Sequence, residues 1–446
     1  MKQLTRLFIP ICLETLFYML SGMVDTLMLS AVGDYAVGAV GTANSYIGIF
    51  IIMFSIISSG MVSVMTQNIG AGRPGVAYQA RQLGLLFNAV AGVLMAVFLF
   101  SGAGAILRMV GIADALYEPA LIYLKIVGGG CILNAVIPIF SSYLRAFGYT
   151  KQPLYATIVG NIANFVMNAV FLFVLHKGVA GVAIATVISK ILNLCIVLYF
   201  SHKLISAKNS TERIANKTVL GQIVKVGLPS ACETALYNVA MMLVIRFLNQ
   251  MDAEGLNVTA RSYTATISNF SYCVGAALAQ ANAIMTGWHI GAGELEECDR
   301  GTKRAAFVGV CVAVCMETAI VLGSGFIMPL FTDNPEMTAL VRKLLAIDIV
   351  LEIGRVTNLV FGQALKTSGD AVFPAVIAAV FMFVFAVGGT WLFGISMGLM
   401  AVGAYIISMG LMAVGAYIGL ASDECVRAIG MVWRWKTGKW RTKKLV

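Results

Sequence analysis

The residues of this chain best suited to chemistry are carboxylates and amides embedded in long apolar stretches. Glu14 and Asp25 lie in one such stretch, residues 7–30, and are eleven residues apart. In an α-helix that spacing places them on nearly the same face, about 16 Å apart along the axis. A carboxylate in apolar surroundings is costly unless it is protonated, paired or bound to a cation. No basic residue lies one helical turn from Asp25, so its partner must come from another helix or be an ion.

Three asparagines follow at helical spacing in another apolar stretch, residues 153–175. Asn161, Asn164 and Asn168 stand at positions i, i+3 and i+7, which places their amides on one helical face. Amides in apolar surroundings need hydrogen-bond partners. The stripe predicts either hydrogen bonds between helices or an oxygen-rich pocket shared with Asp25.

A third group lies in the second half of the chain. Asp348, Glu352 and Arg355 share one helical face at positions i, i+4 and i+7. They predict either a self-compensating ion pair that stabilises this half or part of a cleft for substrate or ions.

The setting of these residues is a membrane. Charged residues make up 12% of the 446 residues and hydrophobic residues 59%, against roughly 25% charged in an ordinary soluble domain. Such a chain must turn its apolar surface toward lipid. Basic loops at one membrane face explain much of the +10 net charge without nucleic acid. The nine cysteines are isolated, without a CxxC pair, which predicts neither disulfides nor a metal site.

Apolar windows of about twenty residues predict twelve transmembrane helices. They fall at residues 7–30, 38–66, 83–107, 119–146, 153–175, 179–201, 226–250, 256–286, 305–328, 339–365, 371–394 and 407–432. Basic residues concentrate in alternate loops, which predicts a cell-membrane protein with both termini in the cytoplasm. The predicted domains are an N-terminal six-helix lobe (1–201), a basic cytoplasmic linker (202–225), a C-terminal six-helix lobe (226–432) and a basic cytoplasmic tail (433–446). Tryptophans alternate with basic residues in the tail, a pattern that suits lipid headgroups.

An internal repeat relates the two predicted lobes. In the same order, residues 10–15, 68–72 and 144–153 match residues 229–234, 289–293 and 365–374. Because six helices per half is an even number, the lobes share one orientation, and their pseudo-twofold axis should run along the membrane normal. Glu14 and Glu233 occupy equivalent positions, which favours a shared structural role near each helix start. The equivalent of Asp25 is Val244, so the symmetry is broken there.

A second repeat is local, because residues 395–406 are copied residue for residue as residues 407–418. Two spans need about 40 residues, whereas the uncharged stretch 371–421 is longer by roughly one copy. At the usual offset between the lobes Gly181 would pair with Gly403, but the final span stays in step only if Gly181 pairs with Gly415. We therefore expect one copy to be an insertion between the last two spans.

The sequence motifs of other activities either occur in the wrong structural context or do not occur in the sequence. The GxGxxG pattern at residues 70–75 follows a predicted membrane helix and contains Pro74, which excludes a dinucleotide site. No GxxxxGK[ST] motif occurs, and no nucleophile, base and orienting residue suggest an enzyme. A transporter without a nucleotide motor must draw on an ion gradient, so we expect no cofactor beyond a transported Na⁺ or H⁺.

Several of these segments resemble the multidrug and toxic compound extrusion (MATE) family, over nearly the whole chain. The matching motifs are VDT at 24–26, QNIGAG at 67–72, the asparagine-rich span at 153–175, GVAIAT at 181–186 and LKTSGD at 365–370. In that family a span-1 aspartate, span-5 polar residues and a span-6 threonine form a cation site in the N-terminal lobe. The resemblance implies that the ion-coupling residues are Asp25, Asn164, Asn168 and Thr186.

The chain departs from the family pattern at two positions. Asn168 stands where some members have an aspartate, and Arg355 stands where others have an aspartate in span 10. The coupling ion therefore stays open between Na⁺ and H⁺. The segment from Glu352 to Arg355, with Asn358, is similar to a poorly characterised prokaryotic branch.

The resemblance implies a monomeric secondary active transporter, not an enzyme, that exports amphipathic, often cationic compounds in exchange for sodium ions or protons. Two lobes would rock around a central cleft, with the candidate lining residues Asn161, Glu14, Glu233, Asp348, Glu352 and Arg355. The expected partners are small amphipathic substrates and the lipid bilayer, without nucleic acid. The alternative is a flippase for a lipid-linked precursor, which would suit the basic residues Lys125, Lys190, Arg246 and Arg261.

Overall fold

The computed structural model describes residues 2–205, 212–251, 256–392 and 411–446. Within these ranges the chain is almost entirely helical and contains no β-strand, because a backbone inside a bilayer must satisfy its hydrogen bonds within each segment. The chain divides into two compact units. The first unit comprises residues 2–231 and 445–446, and the second comprises residues 232–444.

The described residues of the first unit form seven helices and the start of an eighth. They are α1 (Lys2–Ser30), α2 (Asp34–Gly70), α3 (Pro74–Val110), α4 (Asp114–Gly129), α5 (Cys131–Ala146), α6 (Lys151–Ala169) and α7 (Gly178–Leu204). Helix α6 continues as a π-helical turn over Val170–Val174. Helices α4 and α5 are bent by 42° at their junction, as in a single broken span.

The helices that build the second unit are α8 (Asn216–Met251), α9 (Leu256–Ala292), α10 (Leu295–Ile327), α11 (Pro335–Ser368), α12 (Val372–Phe381) and α13 (Leu411–Lys436). The first part of α8, up to residue 231, belongs to the first unit. A Cβ atom on Gly60 of α2 would overlap the backbone carbonyl of Ile223 in this part of α8. A Cβ atom on Gly227 of α8 would likewise overlap the backbone carbonyl of Ile56 in α2. These two glycines therefore allow the backbones of α2 and α8 to approach closely.

Eight helical segments of the described chain are long and apolar enough to span a membrane, and the bent α4–α5 pair makes a ninth. Helices α9, α11 and α13 do not meet that criterion, because α9 is rich in serine, threonine and asparagine and the other two carry charges at mid-length. Asp348 and Glu352 lie in α11, and Asp423 and Glu424 lie in α13. Counted with these three, the helices follow the twelve predicted spans in order.

The loop segments that repeat between the halves form the same turns. Gly72 and Gly293 occupy equivalent repeat positions and have φ angles of 77° and 81°. Gly148 and Gly369 are likewise equivalent, with φ angles of 84° and 95°. Only glycine adopts this left-handed conformation without a steric penalty, so the repeated glycines are explained by the turns that they make.

Each unit has its own apolar core. In the first unit the core lies mainly between α2, α3, α4 and α7, and in the second it lies between α8, α11 and α13. Val244, the repeat equivalent of Asp25, is fully buried in the core of the second unit. The two halves therefore differ in chemistry at this position, with a carboxylate in one and packed hydrocarbon in the other.

The duplicated dodecamer lies largely outside the described residues. The first copy, residues 395–406, and the start of the second, residues 407–410, are not described. The remainder of the second copy forms the beginning of α13. The insertion of one copy between the last two spans stays a prediction.

The sequence pattern predicted that the tryptophans of the basic tail face lipid headgroups, and the structure agrees for only some of them. Trp433 is 58% exposed, but Trp435 and Trp440 are each 1% exposed and stack with their ring centroids 4.1 Å apart. Trp435 also donates a hydrogen bond of 2.8 Å to Asp299. The headgroup prediction is therefore wrong for Trp435 and Trp440, whose large rings gain more from packing inside the protein.

Candidate functional site

Asp25 of α1 meets the asparagine face of α6 within the first unit. The amide nitrogen of Asn168 donates a hydrogen bond of 2.8 Å to Asp25 Oδ1, and it lies 3.1 Å from Asn164 Oδ1. Asn168 is 0% exposed and Asn164 is 6% exposed. Three of the four predicted coupling residues are thus joined in one hydrogen-bonded group.

Asn161 stands on the same stripe but has a different partner. Its amide donates a hydrogen bond of 2.8 Å to the backbone carbonyl of Phe17 in α1. Because of the i, i+3, i+7 spacing, the stripe runs along α1. Asn161 at one end of the stripe bonds the backbone of α1, and Asn168 at the other end bonds the carboxylate of Asp25. One amide of the stripe thus bonds a helix backbone, and the other two share a hydrogen-bonded group with Asp25.

Thr186 lies beside Tyr123, a residue that sequence reasoning missed and that is close enough to Asp25 for an electrostatic interaction. The hydroxyl of Thr186 donates to the carbonyl of Val182 in its own helix at 2.9 Å. The buried hydroxyl of Tyr123 lies within hydrogen-bonding reach of both Thr186 and Asn44. Asn44 could have been found by the criterion applied to α6, since it is an amide within an apolar stretch.

A lysine also faces this region. Lys190 donates a hydrogen bond of 2.8 Å to Asn134 Oδ1 and lies close enough to Asp25 for the two charges to interact. Within the described residues its ammonium group forms no ion pair with a carboxylate. Asp25 therefore has a positive charge nearby that does not neutralise it by direct contact.

The chemistry of the Asp25 group is that of a site for a proton or a hard cation. A carboxylate, two amides and nearby hydroxyls offer only oxygen ligands, which alkali and alkaline-earth cations prefer. Asn168 Oδ1 is buried and has no hydrogen-bond partner among the described residues. The neutral amides can coordinate a cation but cannot balance the charge of Asp25, which a bound proton or cation would neutralise directly.

Glu14 and Glu233 form the same ion pair in each unit. Glu14 Oε1 lies 2.6 Å from Arg145 Nη2, and Glu233 Oε2 lies 2.8 Å from Lys366 Nζ. Arg145 and Lys366 are repeat equivalents, as are the two glutamates. This geometry fits the shared structural role inferred from the repeat. The predicted position near each helix start is wrong, because α1 begins at Lys2 and α8 at Asn216, well before the two glutamates. The pair leaves Glu14 outside the hydrogen-bonded group of Asp25.

The remaining candidates meet in the second unit. Glu233, Asp348 and Arg355 line a cavity of about 450 Å³. Arg355 forms an ion pair with Glu352, which is fully buried. The predicted cleft residues therefore divide between the units, with Asn161 and Glu14 in the first and the other four in the second.

Comparison with known proteins agrees with this architecture. The family model described as MatE matches residues 10–170 and 229–392, which is one match in each half of the chain. The chain is 32% identical over 440 residues to the uncharacterized transporter YisQ of Bacillus subtilis strain 168, covering 97% of this chain and 94% of YisQ. It is 21% identical over 389 residues to the probable multidrug resistance protein NorM of Thermotoga maritima, covering 84% of this chain and 82% of that protein.

The fold is shared with solved transporter structures. The outward-facing conformation of a multidrug resistance MATE family transporter of the MOP superfamily superposes with a TM-score of 0.82 at 20% identity. The match covers 98% of this chain and 96% of that one. The predicted all-α fold, with twelve transmembrane helices in two six-helix lobes, is confirmed. The chain is therefore a multi-pass membrane protein that belongs to the MATE family of transporters.

Proposed function

We propose that this chain is a secondary active exporter of amphipathic, often cationic compounds, and that the Asp25 group binds the coupling Na⁺ or H⁺. The observation that carries the proposal is the 2.8 Å hydrogen bond between Asn168 and Asp25 beside the unpartnered oxygen Asn168 Oδ1. The bond orients the carboxylate, and the free amide oxygen adds a ligand next to it.

The proposed coupling follows from the cost of an empty site. With a proton or a cation bound, the charge of Asp25 is balanced; without one, a charge remains among apolar helices at a cost of several kcal/mol. A conformational equilibrium that depends on such loading can exchange an ion for a substrate. Asp25 is itself only partly buried, so the surrounding helices do not seal its carboxylate off.

We propose bulky amphipathic compounds as the substrates and a rocking movement of the two lobes as the transport step. The relative from Thermotoga maritima is named as a probable multidrug resistance protein, which supports bulky amphipathic compounds as substrates here. Two lobes that rock around a central cleft would carry such a compound across the membrane without a bound cofactor. We propose a monomer in the cell membrane with cytoplasmic termini, supported by the basic loops near residues 73, 145, 151 and 300.

The test is transport by the purified full-length protein in liposomes, with Na⁺ and H⁺ gradients imposed separately and a fluorescent organic cation as substrate. Asp25→Asn should fold normally and lose gradient-driven transport by at least about tenfold. Asn168→Ala should weaken the dependence on the ion less severely, because it removes a neutral ligand and leaves the charge.

Asp114→Asn is the matched control, since it makes the same change at an exposed carboxylate in the same unit. It should transport as the unmodified protein does. Transport by Asp25→Asn at the unmodified rate, with the same Na⁺ and pH dependence, would show that the coupling ion binds elsewhere.

A further inference from the structure

Three carboxylates from two helices of the second unit converge at one buried position. Glu317 of α10 and Asp348 and Glu352 of α11 each bring one oxygen to within 4.8 Å of the other two. Glu317 and Glu352 are 0% exposed, and Asp348 is 2% exposed. The i, i+4 spacing turns both carboxylates of α11 toward α10.

Most of the negative charge in this cluster has no partner. Arg355 pairs with Glu352, and Glu424, which faces the cluster from α13, pairs instead with Arg427. In the described part of the chain, both oxygens of Glu317, Oδ2 of Asp348 and Oε2 of Glu352 are buried without a hydrogen-bond partner. Three ionised carboxylates and one guanidinium leave two negative charges, which an apolar interior does not tolerate uncompensated.

A second observation comes from α9, which packs against both helices. The hydroxyls of Ser268 and Ser271 lie beside Asp348 and Glu317, respectively. The two serines are 4% and 0% exposed, and neither hydroxyl completes a hydrogen bond within the described residues. Oxygen atoms from three helices therefore surround one position, and several of them are unused.

The cavity of the second unit supplies a route to this position. Its lining includes Ser268, Asp348 and Arg355, whereas Glu317 and Glu352 do not line it. An ion that enters the cavity would therefore contact Asp348 before it reaches the carboxylates of Glu317 and Glu352, which lie behind the cavity wall.

We propose that Glu317, Asp348 and Glu352, assisted by Ser268 and Ser271, bind a hard metal cation, either Na⁺ or a divalent ion of calcium size. With metal–oxygen bonds of about 2.3–2.6 Å, two oxygen ligands on opposite sides of one ion lie about 5 Å apart. The carboxylate oxygens of this cluster, within 4.8 Å of one another, are spaced to suit such an ion. The all-oxygen ligand set excludes a preference for soft metals. This site is distinct from the Asp25 group and does not depend on the proposed coupling function.

The experiment measures cation binding to the purified full-length protein in detergent, not transport. Radioactive Na⁺ and Ca²⁺ are titrated in separate arms at constant ionic strength, with Mg²⁺ as competitor in each. The titrations use the Asp25→Asn protein as the background, because the Asp25 group is itself proposed to bind an ion. This background should bind one of the two ions saturably, and adding Glu317→Gln should weaken that binding at least tenfold. Asp348→Asn should do the same and replaces Glu317→Gln if that variant does not fold.

The Asp25→Asn background separates this site from the proposed coupling site, because an ion that it still binds cannot occupy the Asp25 group. The arm that shows binding identifies the ion. The proposal is overturned if both carboxylate variants bind the ions as the Asp25→Asn background does. It is also overturned if neither ion binds at a pH that ionises the carboxylates, because protons alone would then balance the cluster.

Discussion

Glu14 Oε1 lies 2.6 Å from Arg145 Nη2, and this ion pair joins α1 to α5. The side chains are 12% and 22% exposed, so the pair is largely shielded from solvent. Glu233 and Lys366 repeat the pair between α8 and α11 at 2.8 Å. The pair thus fastens the first span of each half to the fourth, and it explains why an acidic residue recurs near the start of both halves.

A double-mutant cycle tests this role. Glu14→Gln and Arg145→Gln should each lower the free energy of unfolding by about 1–3 kcal/mol, because each leaves a shielded charge without its partner. The double variant should lose less free energy of unfolding than the two single variants lose together, with a coupling energy of about 1–2 kcal/mol. Unfolding in detergent measures all three. Glu118→Gln, at an exposed position of α4, is the control, and additive losses would show that the two side chains do not interact.

Lys190 gives a prediction about ion affinity. Its charge lies near Asp25 without pairing to it, so it repels any cation that approaches the carboxylate. Lys190→Gln should therefore raise the apparent affinity for the coupling ion by about tenfold, equivalent to about 1.4 kcal/mol. The measurement is the concentration of Na⁺ or H⁺ that gives half-maximal transport. Lys177→Gln, at an exposed residue of the same unit, should change nothing, and an unchanged or weaker affinity in Lys190→Gln would contradict the repulsion.

Hydropathy and the repeat predicted the fold because both reflect constraints that act along the chain. A span must be apolar over about twenty residues, and a tight turn needs glycine, as at Gly72 and Gly293. Helix ends were less predictable: α8 begins at Asn216, well before the apolar window that predicted it. A helix can continue into water beyond the bilayer, where hydropathy no longer marks it.

Site residues on one helix could be predicted, and contacts between helices could not. The stripe of Asn161, Asn164 and Asn168 is visible in the sequence because its members share a helical period. The meeting of Glu317 with Asp348 depends on how α10 packs against α11, which no local pattern encodes. Tyr123 escaped notice for the same reason, since its hydroxyl becomes important only beside Asn44 and Thr186.

The duplicated dodecamer gives a prediction that does not depend on the described residues. Deleting residues 407–418 restores the lobe register, so the shortened chain should express, fold and transport largely as the full chain does. Fluorescence-detected size-exclusion chromatography and the liposome assay measure this. Deleting residues 383–394 removes the same number of residues from a unique segment and should abolish folding. Equal loss in both deletions would mean that the extra copy has become part of the packing.

Asp370, in the loop between α11 and α12, anchors the tail of the second unit. Arg434 Nε and Lys443 Nζ donate hydrogen bonds to its carboxylate at 2.7 Å and 2.6 Å, and Asp370 is 1% exposed. Burial alone would raise the pKa of Asp370, but the hydrogen bonds and charges of Arg434 and Lys443 outweigh it and hold the pKa below its ordinary value of 3.8. The ionised carboxylate is therefore favoured by folding.

The lowered pKa fixes the sign of a pH-dependent stability. A group with a lower pKa in the folded state contributes stability above its unfolded pKa and loses it as the pH falls through the folded value. Asp370→Asn should therefore lower the free energy of unfolding by about 2 kcal/mol at pH 7, the order of a charge-assisted hydrogen bond. The deficit relative to the unmodified protein should narrow only below about pH 4. Melting temperatures in detergent between pH 7 and pH 3.5 measure the difference, with Asp114→Asn as the control that should follow the unmodified profile. A deficit that stays constant down to pH 3.5 and below would mean that Asp370 stabilises the tail by packing rather than by its charge.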